Sequence, residues 1–261
     1  MGNSLADWLA LREPFDAAAR SDALTRAIAA ALPHDRPLKI VDLGAGRGSN
    51  ARYLAGRLPW PQEWLLLDGD ATLLADVGGL TPYFETKQMS LGTLDPAIFK
   101  GRHLVTASAL LDLVSETWLR HLAARCAESR ASVLFALSYD GRIDCSPEDP
   151  ADAAIVSLVN EHQRTDKGFG PALGPVATDC AERCFRDRGY YVARDRSDWL
   201  LTAASPELQR QLIEGWAQAA TEVAPSQTAT IDAWRRRRHA HIDAKRSQII
   251  VGHEDLAGWP L

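Results

Sequence analysis

Cysteine is scarce in this chain. Its four copies in 261 residues (Cys126, Cys145, Cys180, Cys184) are scattered, with no C-x-x-C pair. That spacing suits neither a zinc ribbon nor a redox dithiol. Cys180 and Cys184, four apart in an expected helix, read as small buried residues, and no metal centre is expected. Long apolar runs are missing too: no stretch of 18 such residues exists, so no bilayer-spanning helix is expected. The opening Met-Gly-Asn-Ser-Leu-Ala-Asp-Trp has no basic segment ahead of an apolar one, so it does not read as a secretory signal. Ala6 stands where a myristoylation signal has Ser or Thr. A cytoplasmic location is the expectation. Positive charge is not in excess either: 29 basic against 34 acidic residues give a net charge of −5. Nothing in that balance draws the chain generally to nucleic acid or an anionic membrane. Internal repeats and low-complexity tracts are absent. What is present is a 46% hydrophobic composition, which supplies a sizeable core. The length fits one large domain with insertions or two small ones.

Residues 38 to 48 read Leu-Lys-Ile-Val-Asp-Leu-Gly-Ala-Gly-Arg-Gly, and an expected helix from Ser49 to Leu58 follows, closed by Pro59. A strand, a glycine turn and a helix in this order cradle a nucleotide cofactor. Glycine lets the backbone turn sharply and lets a ligand come close with no Cβ in the way. A dinucleotide fingerprint is G-x-G-x-x-G, but Ser49 stands where its third glycine belongs. Asp42 lies within the turn, where a carboxylate repels a diphosphate and favours a cationic ligand. The stretch resembles motif I of the class I S-adenosylmethionine-dependent methyltransferases.

The order of elements agrees with that resemblance. Two helices open the chain, one near Ser4 to Leu11 and one starting at Pro14 and stopped by Pro33. Strands follow at Trp64–Leu67, Phe84–Met89, Leu104–Ala107 and Ser132–Ser138, with helices at Ala71–Val77 and Ser115–Ser129. Alternation of this kind predicts an α/β fold with a doubly wound, mostly parallel sheet. A helix at Ala177–Asp187, a strand at Tyr190–Leu201, a helical region from Pro206 to about Ala244 and a strand at Ser247–Gly252 close the chain. The resemblance implies a seven-stranded Rossmann-like methyltransferase fold ending in an antiparallel hairpin, with helical insertions after strands five and six. The expected organisation is an N-terminal helical cap at 1–36 and a cofactor-binding core at 37–145. An insertion over the acceptor site (146–176), a helix and strand of the core (177–205), a helical insertion (206–245) and a final core strand (246–261) complete it.

The resemblance also implies S-adenosylmethionine as cofactor and assigns residues to it. Asp42, Gly44, Ala45, Gly46 and Asn50 belong to the motif I turn. Asp68 ends strand two, 22 residues after Gly46, and is placed to accept both ribose hydroxyls, with Gly69 beside it. Asp70 reads as a helix N-cap. Ser90 and Leu91 stand where the family often has an acidic residue near the adenine. Ser108 and Ala109 open the segment beneath the methyl donor. Arg12, Asp16 and Arg20 share one helical face, either as a solvated salt-bridge ladder or as a lid whose Arg12 or Arg20 grips the cofactor carboxylate.

The acceptor is expected beyond the C-terminal edges of the strands. Asp112 is a base, an acceptor ligand or merely a helix cap. His162 is the first candidate for a general base, because its ordinary pKa is near neutrality, with Tyr139 and Asp140 as alternatives. Leu111, Asn160, Phe169 and Trp199 are candidate acceptor contacts. The loop around Phe169, rich in glycine and charge, is suitable for a binding lid. The segment Ser108-Ala109-Leu110-Leu111-Asp112 is not Asn-Pro-Pro-Tyr, which counts against methylation of nucleic-acid bases. The run Arg235-Arg236-Arg237-Arg238-His239 cannot share one helical face and reads as a solvated helix or an oligomer contact. The leading expectation is O- or N-methylation of a small molecule. The rivals are an RNA or protein methyltransferase, a nicotinamide-dependent oxidoreductase and a non-catalytic cofactor binder.

Overall fold

The fold is described from a computed structural model covering residues 4–80 and 83–261. Strand β1 (Leu38–Leu43) shows how the sequence builds the sheet. Leu38 and Ile40 enter one apolar cluster, and Val41 and Leu43 enter another on the opposite face. Period-two alternation with both faces apolar makes a strand buried on both sides. β2 (Gln62–Asp68) repeats the pattern, with Trp64 and Leu66 on the first face and Leu65 and Leu67 on the second. β3 (Tyr83–Gln88), β4 (Leu104–Ser108) and β5 (Ser132–Ser146) continue the parallel pairing.

β6 (Tyr190–Arg196), β7 (Trp199–Leu201) and β8 (Gln248–Pro260) complete an eight-stranded sheet. Its order is β3-β2-β1-β4-β5-β8-β6, with β7 paired to β8 off that path. β8 runs antiparallel to β5, β6 and β7. The expected single strand from Tyr190 to Leu201 is therefore two strands. The break at Ser197–Asp198 lies where the Asp198 carboxylate accepts from Arg142 and from the His253 amide, and where Ser197 N–H donates to the His253 carbonyl at 2.9 Å.

Nine helices are described among these residues. α1 (Leu5–Ala19) is opened by Ser4, whose hydroxyl accepts from Asp7 N–H while Asp7 accepts from Ser4 N–H. It runs through Pro14, so the expected break there does not occur. The Arg12–Asp16 pair spans the position of the missing N–H and helps hold the turns together. α2 (Asp22–Ala31), α3 (Ser49–Ala55) and α4 (Ala71–Ala75) follow, and Leu24 and Ile28 of α2 pack into the first cluster. α5 (Glu116–Ser129) and α7 (Ala177–Arg186) cover the opposite face.

β5 and β8 run on well past their expected ends, and the β5 extension, with Ile249 and Val251 of β8, carries a third apolar cluster. α6 (Asp152–Gln163), α8 (Pro206–Val223) and α9 (Thr228–Asp243) pack there, with Trp8, Leu11 and Phe15 of α1 against them. The pairing of β5 with β8 shifts register between Phe135 and Ser138 and again between Tyr139 and Ile143. At the second shift the chains approach so closely that a Cβ on Gly252 would stand 2.2 Å from the Asp140 carboxylate. Only glycine fits there.

Candidate active site

Gly44, Gly46 and Gly48 all take left-handed backbone angles (φ 68°, 52° and 79°), so the turn after β1 is one that residues with a Cβ resist. The turn is tied to the next strand. Ala45 N–H donates to the Leu67 carbonyl at 2.9 Å, and Gly46 N–H donates to Asp68 Oδ2 at 2.8 Å. Asp68 Oδ1 accepts from Asp70 N–H at 2.9 Å, so backbone amides fix its carboxylate on both sides. Asp70 caps α4.

These groups open on a cavity of about 790 Å³, within the usual range for small-molecule sites. Gly44, Ala45, Gly46 and Asn50 line it from the first turn. Asp68, Gly69, Ser90 and Leu91 line it from the ends of β2 and β3, and Ser108 and Ala109 from the end of β4. Phe169 closes one side, its ring edge-on to Trp118 at 5.8 Å. Sequence reasoning did not single out Leu5, Leu9 and Glu13 on α1, nor Met89, Leu110, Leu113 and Lys167. Leu5, Leu9, Arg12 and Asp16 recur at spacings of three or four, a pattern that could have marked α1 as a roof. The family cofactor fits these residues. A Cβ on Gly44 would project toward Leu110 and Leu91 at 3.7–4.0 Å, on the cavity side, and four carboxylates (Glu13, Asp16, Asp68, Asp70) face three cations (Arg12, Arg47, Lys167). That balance suits a ligand carrying both onium charge and a carboxylate.

Two of the cofactor candidates lie elsewhere. Asp42 does not face the cavity. It is fully buried beneath α3, where Asn50 Nδ2 donates to its Oδ1 at 2.7 Å, and burial pushes its pKa up to about 7. Its strand parity points it into the sheet's α3 side, so the electrostatic preference expected of it rests on the cavity carboxylates instead. Arg20 lies past the end of α1 and lines a smaller, adjoining cavity of about 230 Å³ with Ser49, Asn50 and Ser108. Its Nη1 donates to Asn50 Oδ1 at 2.7 Å and its Nε lies 3.8 Å from Asp255 Oδ2, whereas Nε and Nη2 have no hydrogen-bond partner among the described residues.

The acceptor candidates separate. His162 is outside the cavity: its Nε2 meets Glu222 at 2.9 Å where α6 meets α8. Asp140 is spent on Arg142, and Asn160 is held between the Tyr139 hydroxyl at 2.8 Å and the Gly141 carbonyl at 3.0 Å. Leu111 belongs to the core. Asp112 does not cap α5, whose cap is Ser115. It is buried, its Oδ1 has no partner, and burial pushes its pKa up to about 6. Trp199 donates from Nε1 to Asp16 Oδ1 at 3.1 Å. Tyr139 packs edge-on to His253, ring centroids 6.3 Å apart. His253, which sequence reasoning missed, is buried with its Nδ1 unpartnered, and burial pushes its pKa down to about 3.

The arginine run is not a basic patch. Arg235 pairs with Glu214 and Asp232, Arg237 with Asp149, and the buried Arg238 with Asp152 and the Pro147 carbonyl. The expected solvated helix is thus a clamp between α9 and the start of α6.

No protein-family model matches the sequence, and no curated protein matches it. Solved structures do match its fold. The cyclopropane synthase MmaA2 from Mycobacterium tuberculosis superposes with a TM-score of 0.52 at 9% identity, covering 97% of this chain and 93% of that one. The YcgJ protein from Bacillus subtilis gives a TM-score of 0.52 at 11% identity, covering 92% of this chain and 100% of that one. A geranyl diphosphate methyltransferase in complex with S-adenosylmethionine gives 0.46 at 12% identity, over 92% of this chain and 78% of that one. Strand order and superposition agree on the fold: the chain has a Rossmann-like fold of the kind class I S-adenosylmethionine-dependent methyltransferases share. No described helix is long and apolar enough to cross a membrane.

Proposed function

We propose that this chain is an S-adenosylmethionine-dependent methyltransferase acting on the oxygen or nitrogen of a small molecule. One observation carries the reading. The Asp68 carboxylate is fixed by two backbone amides at the mouth of a glycine cradle, inside a cavity of about 790 Å³. Asp68 and Gly69 hold the ribose, and Ser90 and Leu91 flank the adenine. Gly44, Ala45, Gly46, Asn50, Ser108 and Ala109 receive the amino-acid end, with Arg20 reaching its carboxylate from the adjoining cavity. The bound cofactor supplies a methyl group already activated by a positive sulfur. What remains for the protein is to hold the acceptor in line, keep water out and take a proton where the acceptor carries one. α1 and Phe169 roof the cavity; we assign the proton to Asp112, which follows the cavity-lining segment Ser108–Leu110 without itself lining the cavity, and the acceptor side to Trp199, which donates to the cavity-lining Asp16. A cavity of this volume roofed by a helix favours a small acceptor over a folded macromolecule.

The test is transfer of label from methyl-labelled S-adenosylmethionine into pooled small metabolites, RNA and protein offered side by side. Label in the small-molecule fraction supports the reading. Label confined to RNA or protein overturns the acceptor class, and no transfer to any of them overturns the activity.

A further inference from the structure

Arg12 occupies surroundings suited to an organic cation. Its guanidinium lies 4.9 Å from the Trp199 ring centroid and 6.0 Å from that of Trp8. Its Nε and Nη2 donate to the two oxygens of Asp16 at 2.9 and 3.2 Å. Aromatic faces with a carboxylate are the chemistry by which proteins recognise ammonium and guanidinium groups. Its charge acts on two buried groups, Asp112 and His253, and the His253 ring centroid stands 5.1 Å from that of Trp199. Each of these has one polar atom without a partner, Asp112 Oδ1 and His253 Nδ1. Of the other cations, Arg142 is engaged by Asp140 and Asp198, and Arg20, which shares the smaller cavity with Asp16, is engaged by Asn50 and Asp255. Arg12 is therefore the positive charge set directly against the Asp16 and Asp112 carboxylates. That charge is carried by α1, a helix with no buried residue. Arg12 and Asp16 also line the main cavity, beside Ser108 and Ala109.

We propose that the chamber now filled by the Arg12 side chain is the acceptor subsite, and that it takes a small organic amine whose ammonium replaces the guanidinium between Trp8, Trp199 and Asp16. This rests on the methyltransferase reading for its chemistry, but the binding of the cation does not. An ammonium has no lone pair, so it passes a proton to the Asp112 carboxylate. The freed nitrogen then bonds the methyl carbon as the carbon–sulfur bond breaks, with that electron pair staying on sulfur. Arg12 is a stand-in that keeps the chamber filled until an amine displaces it.

Arg12→Met keeps the apolar stem and removes the charge. Calorimetric titration of this variant with ethylguanidinium chloride should show binding at least tenfold tighter than to the wild type. Adding Asp16→Asn should abolish that binding, and neutral propylurea should not bind. Thermal unfolding checks that each variant is folded. If the variants are unfolded, the wild-type protein saturated with S-adenosylhomocysteine decides the matter: primary amines should raise its melting temperature, and phenols and carboxylates of equal size should not. Equal affinity of wild type and Arg12→Met for ethylguanidinium, equal binding of propylurea, or stabilisation by phenols alone overturns the proposal. Tight S-adenosylhomocysteine binding without cation binding sinks this inference only. Cation binding without S-adenosylhomocysteine binding sinks the methyltransferase reading instead.

Discussion

Asp42 shows how burial can change the role of a residue within a recognisable motif. Its carboxyl lies among Leu38, Ile40 and α3, so the charged form loses hydration that one amide hydrogen bond from Asn50 cannot replace. A carboxyl whose folded pKa is about 7, against an unfolded value near 3.8, stabilises the native state only while protonated. That contribution is fully present below the unfolded pKa and is lost as the pH rises through about 7. Asp112 acts in the same direction over a slightly lower range, its pKa pushed up to about 6. Asp42→Asn keeps an oxygen for Asn50 and removes one titration. The stability of the variant relative to wild type, followed by urea denaturation from pH 4 to pH 8, should therefore increase with pH by an amount on the order of a few kcal/mol. A difference that stays constant with pH would mean that Asp42 titrates normally.

At the level of elements, α9 is held by charge as well as by its apolar residues. Arg238 is 1% exposed and binds Asp152, which also accepts from Trp234 Nε1 at 2.8 Å. Arg237 is half-exposed on Asp149. Removing one partner of a buried pair strands the other, at about 3–5 kcal/mol, whereas an exposed pair is worth about 1 kcal/mol or less. Arg238→Ala should thus cost several times as much stability as Arg237→Ala in chemical denaturation, and equal costs would contradict the clamp. In the sequence this run looked like four equivalent arginines, because the partners of Arg237 and Arg238 lie 88 and 86 residues away. The same distance in sequence concealed the ends of β5 and β8. Asp140-Gly141-Arg142 looks like a loop, yet it is a bulged strand held by Arg142 contacts and by the absence of a Cβ on Gly252. At the earlier shift, between Phe135 and Ser138, Leu137 takes a left-handed angle and its N–H donates to the buried Asp255 at 2.8 Å.

For the molecule as a whole, the first four strands and the residues that line the cavity at their ends were legible because each depends on local rules. An apolar run makes a strand, glycines turn it, and the residue ending the next strand must face the turn. The proposed acceptor chamber was legible only in part. Arg12, Asp112, Tyr139 and Trp199 were candidates from the sequence, but Trp8 and His253 were not, and apart from Trp8 and Arg12, four apart on α1, no spacing links these residues before the chain folds. His162 looked attractive in isolation and instead joins α6 to α8. The third apolar cluster, built on the extension of β5 and the first half of β8, brings α1 over the cleft.

The most direct test is calorimetric titration of the wild type and Asp68→Ala with S-adenosylhomocysteine and with NADH. The account predicts that S-adenosylhomocysteine binds and NADH does not, and that Asp68→Ala weakens the former by about 1–3 kcal/mol, the scale for lost charge-assisted hydrogen bonds. Tight NADH binding with no heat from S-adenosylhomocysteine, or an affinity indifferent to Asp68, would contradict it.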